Sequence, residues 1–220
     1  QEAGGVRVRG WGKSGHAAMP EGTVNAIGLV VDYLLANGIG NEAERAFLQL
    51  LHKLHSAWDG TGLGIQADDG LFDPLTVVGG VICMENGALR QTVDCRFPTS
   101  TNGEVLEAAL RKAAGDAGTV CMDHVNEPFY IGVDAAPIQA LMAAYCQVTG
   151  EEARPFTMGG GTYARHFPLA VSFGPEDQNA VLPDFAGPMH GANEGANFEH
   201  LLAALKIYIL ALLKLEELEY

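Results

Sequence analysis

Residues 75–97 read LTVVGGVICMENGALRQTVDCRF. Two strand-like runs, 75–84 and 88–97, flank Glu85-Asn86-Gly87. Asn-Gly between such runs is a strong hairpin signal, because both residues tolerate the positive φ of a type I′ turn. Alternation in the second run puts Leu89, Val93, Cys95 and Phe97 on one face and Arg90, Thr92, Asp94 and Arg96 on the other.

Upstream of the hairpin, VRVRGWG (6–12) alternates as a strand does. A helix is predicted over 23–36, with Ile27, Val30, Val31, Leu34 and Leu35 forming one apolar stripe and Gly38 and Gly40 ending it. A second helix over 42–58 has the character of an insertion, and a Gly- and Asp-rich loop fills 59–74. Downstream, Thr101 with Glu104 three residues on forms a capping-box pattern ahead of a helix reaching Ala114, and TVCMDHVNEPFYI (119–131) supplies a last strand. The order βαββαβ predicts an α+β domain of ferredoxin-like type over 1–133. From Asp134 the texture changes. A helix ending at Gly150, a glycine cluster, the strand-like LAVSFG (169–174) and a long helix from about Asn197 suggest the tail of an α/β sheet over 134–220.

The composition excludes some partners. Thirteen basic against 27 acidic residues give a net charge of −14, the opposite of what phosphate neutralisation in nucleic-acid binding requires. The apolar stretch 201–213 is interrupted by Lys206 and falls short of the roughly 20 residues that span a bilayer. Cys83, Cys95, Cys121 and Cys146 are scattered without a C-x-x-C pair, which reads as reduced thiols in a cytoplasmic protein. No signal peptide opens the chain, and the opening QEAGGVRVRG lacks a methionine, so a fragment or a processed product is expected.

Among the seven histidines, His52 and His55 fall on the inserted helix and read as surface residues, and His124, His166 and His200 carry no motif. H-E-x-x-H, H-x-D and zinc-type Cys/His spacings do not occur. His190 stands in the glycine-flanked loop GPMHGANEGAN, where it can project as a metal ligand or cap the following helix. TMGGGTYAR (157–165) exposes backbone N–H groups to an anion or an oxyanion, or is a tight turn with packing glycines. It is not a nucleotide-phosphate motif. His16, in GKSGHAAMPEGTVNAI, can donate to an oxyanion or cap a helix. Arg96 can grip a carboxylate or pair with Asp94.

Taken in order, GKSGHAAMPEGTVNAI, VDCRFPTS, TMGGGTYAR with VSFGPED, and MHGANEGANF resemble the M20 metallopeptidase family, in its PepV-like, carnosinase-type dipeptidase branch. The similarity runs over nearly the whole chain. It implies a lid, or dimerisation, domain followed by the C-terminal segment of an α/β zinc-peptidase catalytic domain. It also implies a small peptide substrate and two zinc ions. His16 matches the lid histidine that contacts the scissile carbonyl, Arg96 the lid arginine that binds the substrate carboxylate, and Gly160, Gly161 and Thr162 the substrate-seating turn. His190 matches the C-terminal metal ligand.

The family's other metal ligands and its general base belong to a first half that these residues do not contain. The resemblance therefore implies a dipeptidase, using metal-activated water, of which this chain alone is inactive. A deacylase, desuccinylase or carboxypeptidase of the same family is the alternative, and a non-catalytic binding or assembly module the third reading. A homodimer through the lid is compatible with the resemblance. The fragment reading also predicts apolar surface left uncovered after Asp134.

Overall fold

The computed structural model describes residues 4–174, 181–187 and 193–218. Its elements are α1 (Ala26–Ala36), α2 (Glu42–Ser56), β1 (Thr76–Glu85), β2 (Ala88–Arg96), α3 (Gly103–Ala114), α4 (Ala136–Thr149) and α5 (Phe198–Glu216), with three short 3₁₀ turns. Packing divides the chain into two units, Gln1–Phe129 with Thr157–Gly160, and Tyr130–Phe156 with Gly161–Tyr220. The architecture is α+β: helices and one antiparallel two-stranded sheet.

The hairpin forms as the sequence predicts. Asn86 (φ 51°) and Gly87 (φ 81°) both adopt positive φ, as a type I′ turn requires, and Glu85 faces Ala88 across it. Between Gly79 and Ile82 the register shifts. There Gly80 and Val81 stand opposite Thr92, and the Thr92 hydroxyl accepts the Val81 N–H at 2.8 Å in place of a ladder bond.

The first half of β1 is the centre of the first unit. Leu75 is fully enclosed, and Val77 packs with Val31 of α1, Leu48, Leu51 and Leu54 of α2, Ile65, and Leu106 of α3. Cys95 and Phe97 join this core from the second strand run. Burial pushes the Cys95 thiol up to about 12. Leu89 and Val93, predicted on the same face, stay exposed: Leu89 lies beyond the bulge, and Val93 pairs with Gly79 at its near edge. All four cysteines are free thiols.

Helix starts follow their caps. Asn25 caps α1 by accepting the Ile27 N–H, so the helix begins at Ala26, three residues later than predicted and just ahead of its apolar stripe. Asn41 and Glu44 form a reciprocal capping box on α2. The capping box predicted at Thr101 is replaced by Asn102, which accepts the Val105 N–H. Gly103 fixes this start. It is buried against Val125 where a Cβ would collide, and its N–H donates to Glu127 Oε1 at 2.9 Å.

The four-stranded ferredoxin-like sheet is not what the structure contains: 6–12 and 119–131 join no ladder. The outer edge of β1 is already occupied. Val77 N–H donates to the Trp58 carbonyl at 2.7 Å, and Asn25 Nδ2 donates to the Gly79 carbonyl at 2.7 Å. Gly10 and Gly12 instead press against the backbone at the start of α1, where a Cβ on Gly10 would lie 2.6 Å from the Ala26 oxygen. Residues 119–131 are tied by side chains, Asp123 to Arg90 and Glu127 to Gly103.

In the second unit α4 and α5 pack through Ala144, Ile207 and Ala211, with the two alanines letting the helices approach around the isoleucine. Gly150, at φ 74°, ends α4, and Asn197 caps α5. The strand predicted at 169–174 is irregular, and the described residues of this unit form no sheet, only the isolated Gly187–Glu194 bridge. Phe173 lies edge-on to Tyr208, whose hydroxyl donates to the Phe173 carbonyl. Leu205, Ile209, Leu212 and Leu213 leave the outer side of α5 more than half exposed. Among the described residues no helix is long and apolar enough to cross a membrane.

His55, read from sequence as a surface residue, is partly buried instead. Gly28 of α1 and Gly79 of β1 make room for it, since a Cβ at Gly28 would lie 2.9 Å from the His55 Cβ and one at Gly79 would overlap the ring. His52 stays outside and pairs with Asp32 at 2.7 Å. Burial holds the His55 pKa below its usual value, against the opposing pull of Gln91 and Asp32. A base with a lowered folded pKa stabilises the fold above the unfolded pKa of 6.5, and that contribution is lost as pH falls through the window beneath it. Urea unfolding between pH 7.5 and 5 therefore shows falling stability for the natural chain and a flatter profile for His55→Gln.

Candidate functional site

The site is built on the turn between 13 and 24. Lys13 and Val24 close it with two backbone hydrogen bonds of 2.9 and 3.0 Å. The buried Thr76 at the start of β1 donates its hydroxyl to the Ala17 carbonyl at 3.0 Å, pinning the turn to the core. His16 is exposed on this turn. Its Nδ1 accepts the Ala18 N–H at 3.2 Å and its carbonyl accepts the Met19 N–H at 3.0 Å. An Nδ1 acceptor in a neutral imidazole places the proton on Nε2.

Arg96 ends β2. Its Nε donates to Asp94 Oδ1 at 2.7 Å and its Nη2 to Asp94 Oδ2 at 2.9 Å, a two-bond pair between residues on one face of the strand. Its Nη1 donates to the Gly159 carbonyl at 3.3 Å. Gly159 also touches the His16 turn: a Cβ there would lie 3.1 Å from Ala18 Cβ and 3.8 Å from Arg96 Cβ. The His16 turn, Arg96 and the start of the glycine run thus meet in one corner of the first unit.

One further bond holds 157–160 in that corner. Thr157 donates its hydroxyl to the Leu71 carbonyl at 2.8 Å. The Leu71 turn is organised by Asp69, whose carboxylate accepts the N–H groups of Leu71, Phe72 and Thr99 and the Thr99 hydroxyl. These bonds hold the Asp69 carboxyl well below the usual range, at about 2, the Thr99 hydroxyl being the largest contributor.

Of the other predicted residues, Gly160 belongs to the first unit, where a Cβ would touch only Met158. Gly161 and Thr162 belong to the second unit. Gly161 lies under the Arg165 guanidinium, whose Nε is buried without a hydrogen-bond partner. Thr162 caps a 3₁₀ turn (Tyr163–His166) by accepting the Ala164 N–H, and its hydroxyl is 2.7 Å from that of Ser172. His190 lies outside the described residues. Among the described residues no three His, Cys, Asp or Glu side chains come together as a metal site. Gly159, Thr157 and Asp69 are the site residues that sequence reasoning passes over. The run of three glycines signalled a close approach, but not which glycine makes it.

No protein-family model matches the chain. Curated relatives do. The chain is 27% identical over 207 residues to a Staphylococcus haemolyticus protein, covering 93% of this chain and 43% of that one. It is 26% identical over 219 residues to a Staphylococcus saprophyticus protein (97% and 45%) and 29% identical over 210 residues to a Staphylococcus aureus protein (93% and 43%). Each of the three bears the name "Putative dipeptidase". The chain spans less than half the length of these relatives.

Asp69 gives the corner a pH dependence. A carboxylate with a lowered folded pKa stabilises above its unfolded pKa of 3.8, and the contribution is lost as pH falls from there toward 2. Asp69→Asn removes it at neutral pH. Urea midpoints measured from pH 7 to pH 2 are therefore lower for the variant at pH 7 and converge with the natural chain toward pH 2.

Proposed function

We propose that this chain is part of a zinc-dependent dipeptidase of the M20 metallopeptidase type, in the carnosinase-type branch. Residues 1–133 act as the substrate-holding lid and 134–220 as the C-terminal segment of the catalytic domain. The observation that carries the reading is the meeting of the His16 turn, Arg96 and Gly159 in one corner. The names of the relatives, matched over more than nine-tenths of the chain, support it. The uncovered apolar side of α5 is in keeping with a chain that spans under half of those relatives.

In this reading the His16 Nε2–H donates to the carbonyl oxygen of the scissile peptide and stabilises the charge that develops there. Arg96 receives the terminal carboxylate of the dipeptide on the N–H groups that Asp94 and Gly159 leave available. Backbone N–H groups of Gly160, Gly161 and Thr162 seat the peptide. The described residues do not by themselves fit a zinc ion, since no three of their ligating side chains converge. The reading assigns one metal ligand to His190 and the remainder to parts of the protein beyond these 220 residues.

The test is hydrolysis by the protein at its full natural length. Unblocked dipeptides are cleaved, chelation of the metal abolishes cleavage, and His16→Ala lowers kcat by about 10²- to 10³-fold, the usual loss for one oxyanion donor. Cleavage of N-acyl amino acids in place of dipeptides would move the activity to a deacylase. No hydrolysis of either class would overturn the proposal.

A further inference from the structure

We infer that Asp94 is the positioning residue of the Arg96 carboxylate grip, an inference that rests on the reading of Arg96 just given. A guanidinium carries five N–H donors in one plane. Asp94 takes two of them, from Nε and Nη2, and the Gly159 carbonyl takes one from Nη1. Among the described residues these are its hydrogen-bond partners, which leaves one N–H on each terminal nitrogen. The Arg96 side chain is 37% exposed, so those two donors lie within reach of a ligand.

Three fixed bonds prevent the guanidinium plane from turning. Asp94 holds one edge from the same face of β2, two residues away, and Gly159 holds the terminal nitrogen from a different part of the chain. The ordering of a long, rotamer-rich side chain is thereby completed before a ligand arrives. Asp94 also balances the positive charge of Arg96. An incoming anion therefore meets two oriented N–H groups in place of a bare cation, an arrangement that suits a planar carboxylate. A lysine at position 96, a flexible point charge, could not be held this way.

The experiment is steady-state kinetics of the full-length protein on a dipeptide and on the same dipeptide with its C-terminal carboxylate amidated. Removing Asp94 also removes a nearby negative charge, which alone would favour carboxylate binding. The assay is therefore run in 1 M potassium chloride, where the Debye length is about 3 Å. Asp94→Ala raises KM for the free acid about five- to tenfold, the cost of ordering one long side chain on binding. Its kcat is little changed, and KM for the amide stays as it was. Asp94→Glu restores part of the loss, and Arg96→Ala abolishes the preference for the free acid. If Asp94→Ala moves the two substrates equally or moves neither, while Arg96→Ala still abolishes the preference, Asp94 has no positioning role and the reading of Arg96 stands. If Arg96→Ala leaves the preference intact, or no dipeptide is cleaved, that reading fails and the inference fails with it.

Discussion

The backbone edge of β1 between Thr76 and Gly79 is committed to irregular chain and side chains, and most of the first unit follows from that. Thr76 holds the His16 turn through the Ala17 carbonyl, Val77 bonds to Trp58, and Gly79 receives the Asn25 side chain that also caps α1. Each bond satisfies a polar group that would otherwise be buried without a partner, at a cost on the order of 1–3 kcal/mol. The same bonds leave no edge for an outer strand. They place an exposed turn bearing His16 directly over the most enclosed part of the core.

What could be read from the sequence was local. Asn86-Gly87 specifies its turn because few other pairs tolerate two consecutive positive φ angles, and Gly150 and Asn197 act at the ends of the helices they were expected to bound. The outer strands failed as readings because alternation in 6–12 and 119–131 reports an extended chain, not the partner that would pair with it. Gly103 displaced the Thr101 capping box through a contact with Val125, twenty-two residues on, which no spacing pattern signals. His55 was misplaced for a related reason: the space it fills is made by the missing Cβ atoms of two glycines on other elements.

The candidate site divides along the same line. His16 and Arg96 stood out through their immediate neighbours, and the alternative partner of Arg96, Asp94, was visible two residues away. Gly159, Thr157 and Asp69 emerged only when bonds between distant positions were on view, Thr157 to Leu71 and Asp69 to Thr99 among them. Their work is to bring a segment from beyond α4 back to the first unit and hold it against Arg96. Chemistry was legible where it rests on residue type, and geometry was not where it rests on a long-range bond.

The proposed function requires of these 220 residues surfaces that grip a peptide and at most one metal ligand. Zinc titration calorimetry on the purified chain, beside His190→Ala, tests this most directly. The predicted result is no stoichiometric tight zinc binding and no effect of the substitution, because a catalytic zinc takes about three protein ligands. One zinc bound tightly per chain, with peptide hydrolysis lost together with the metal in His190→Ala, would contradict it and place a complete metal centre within this chain.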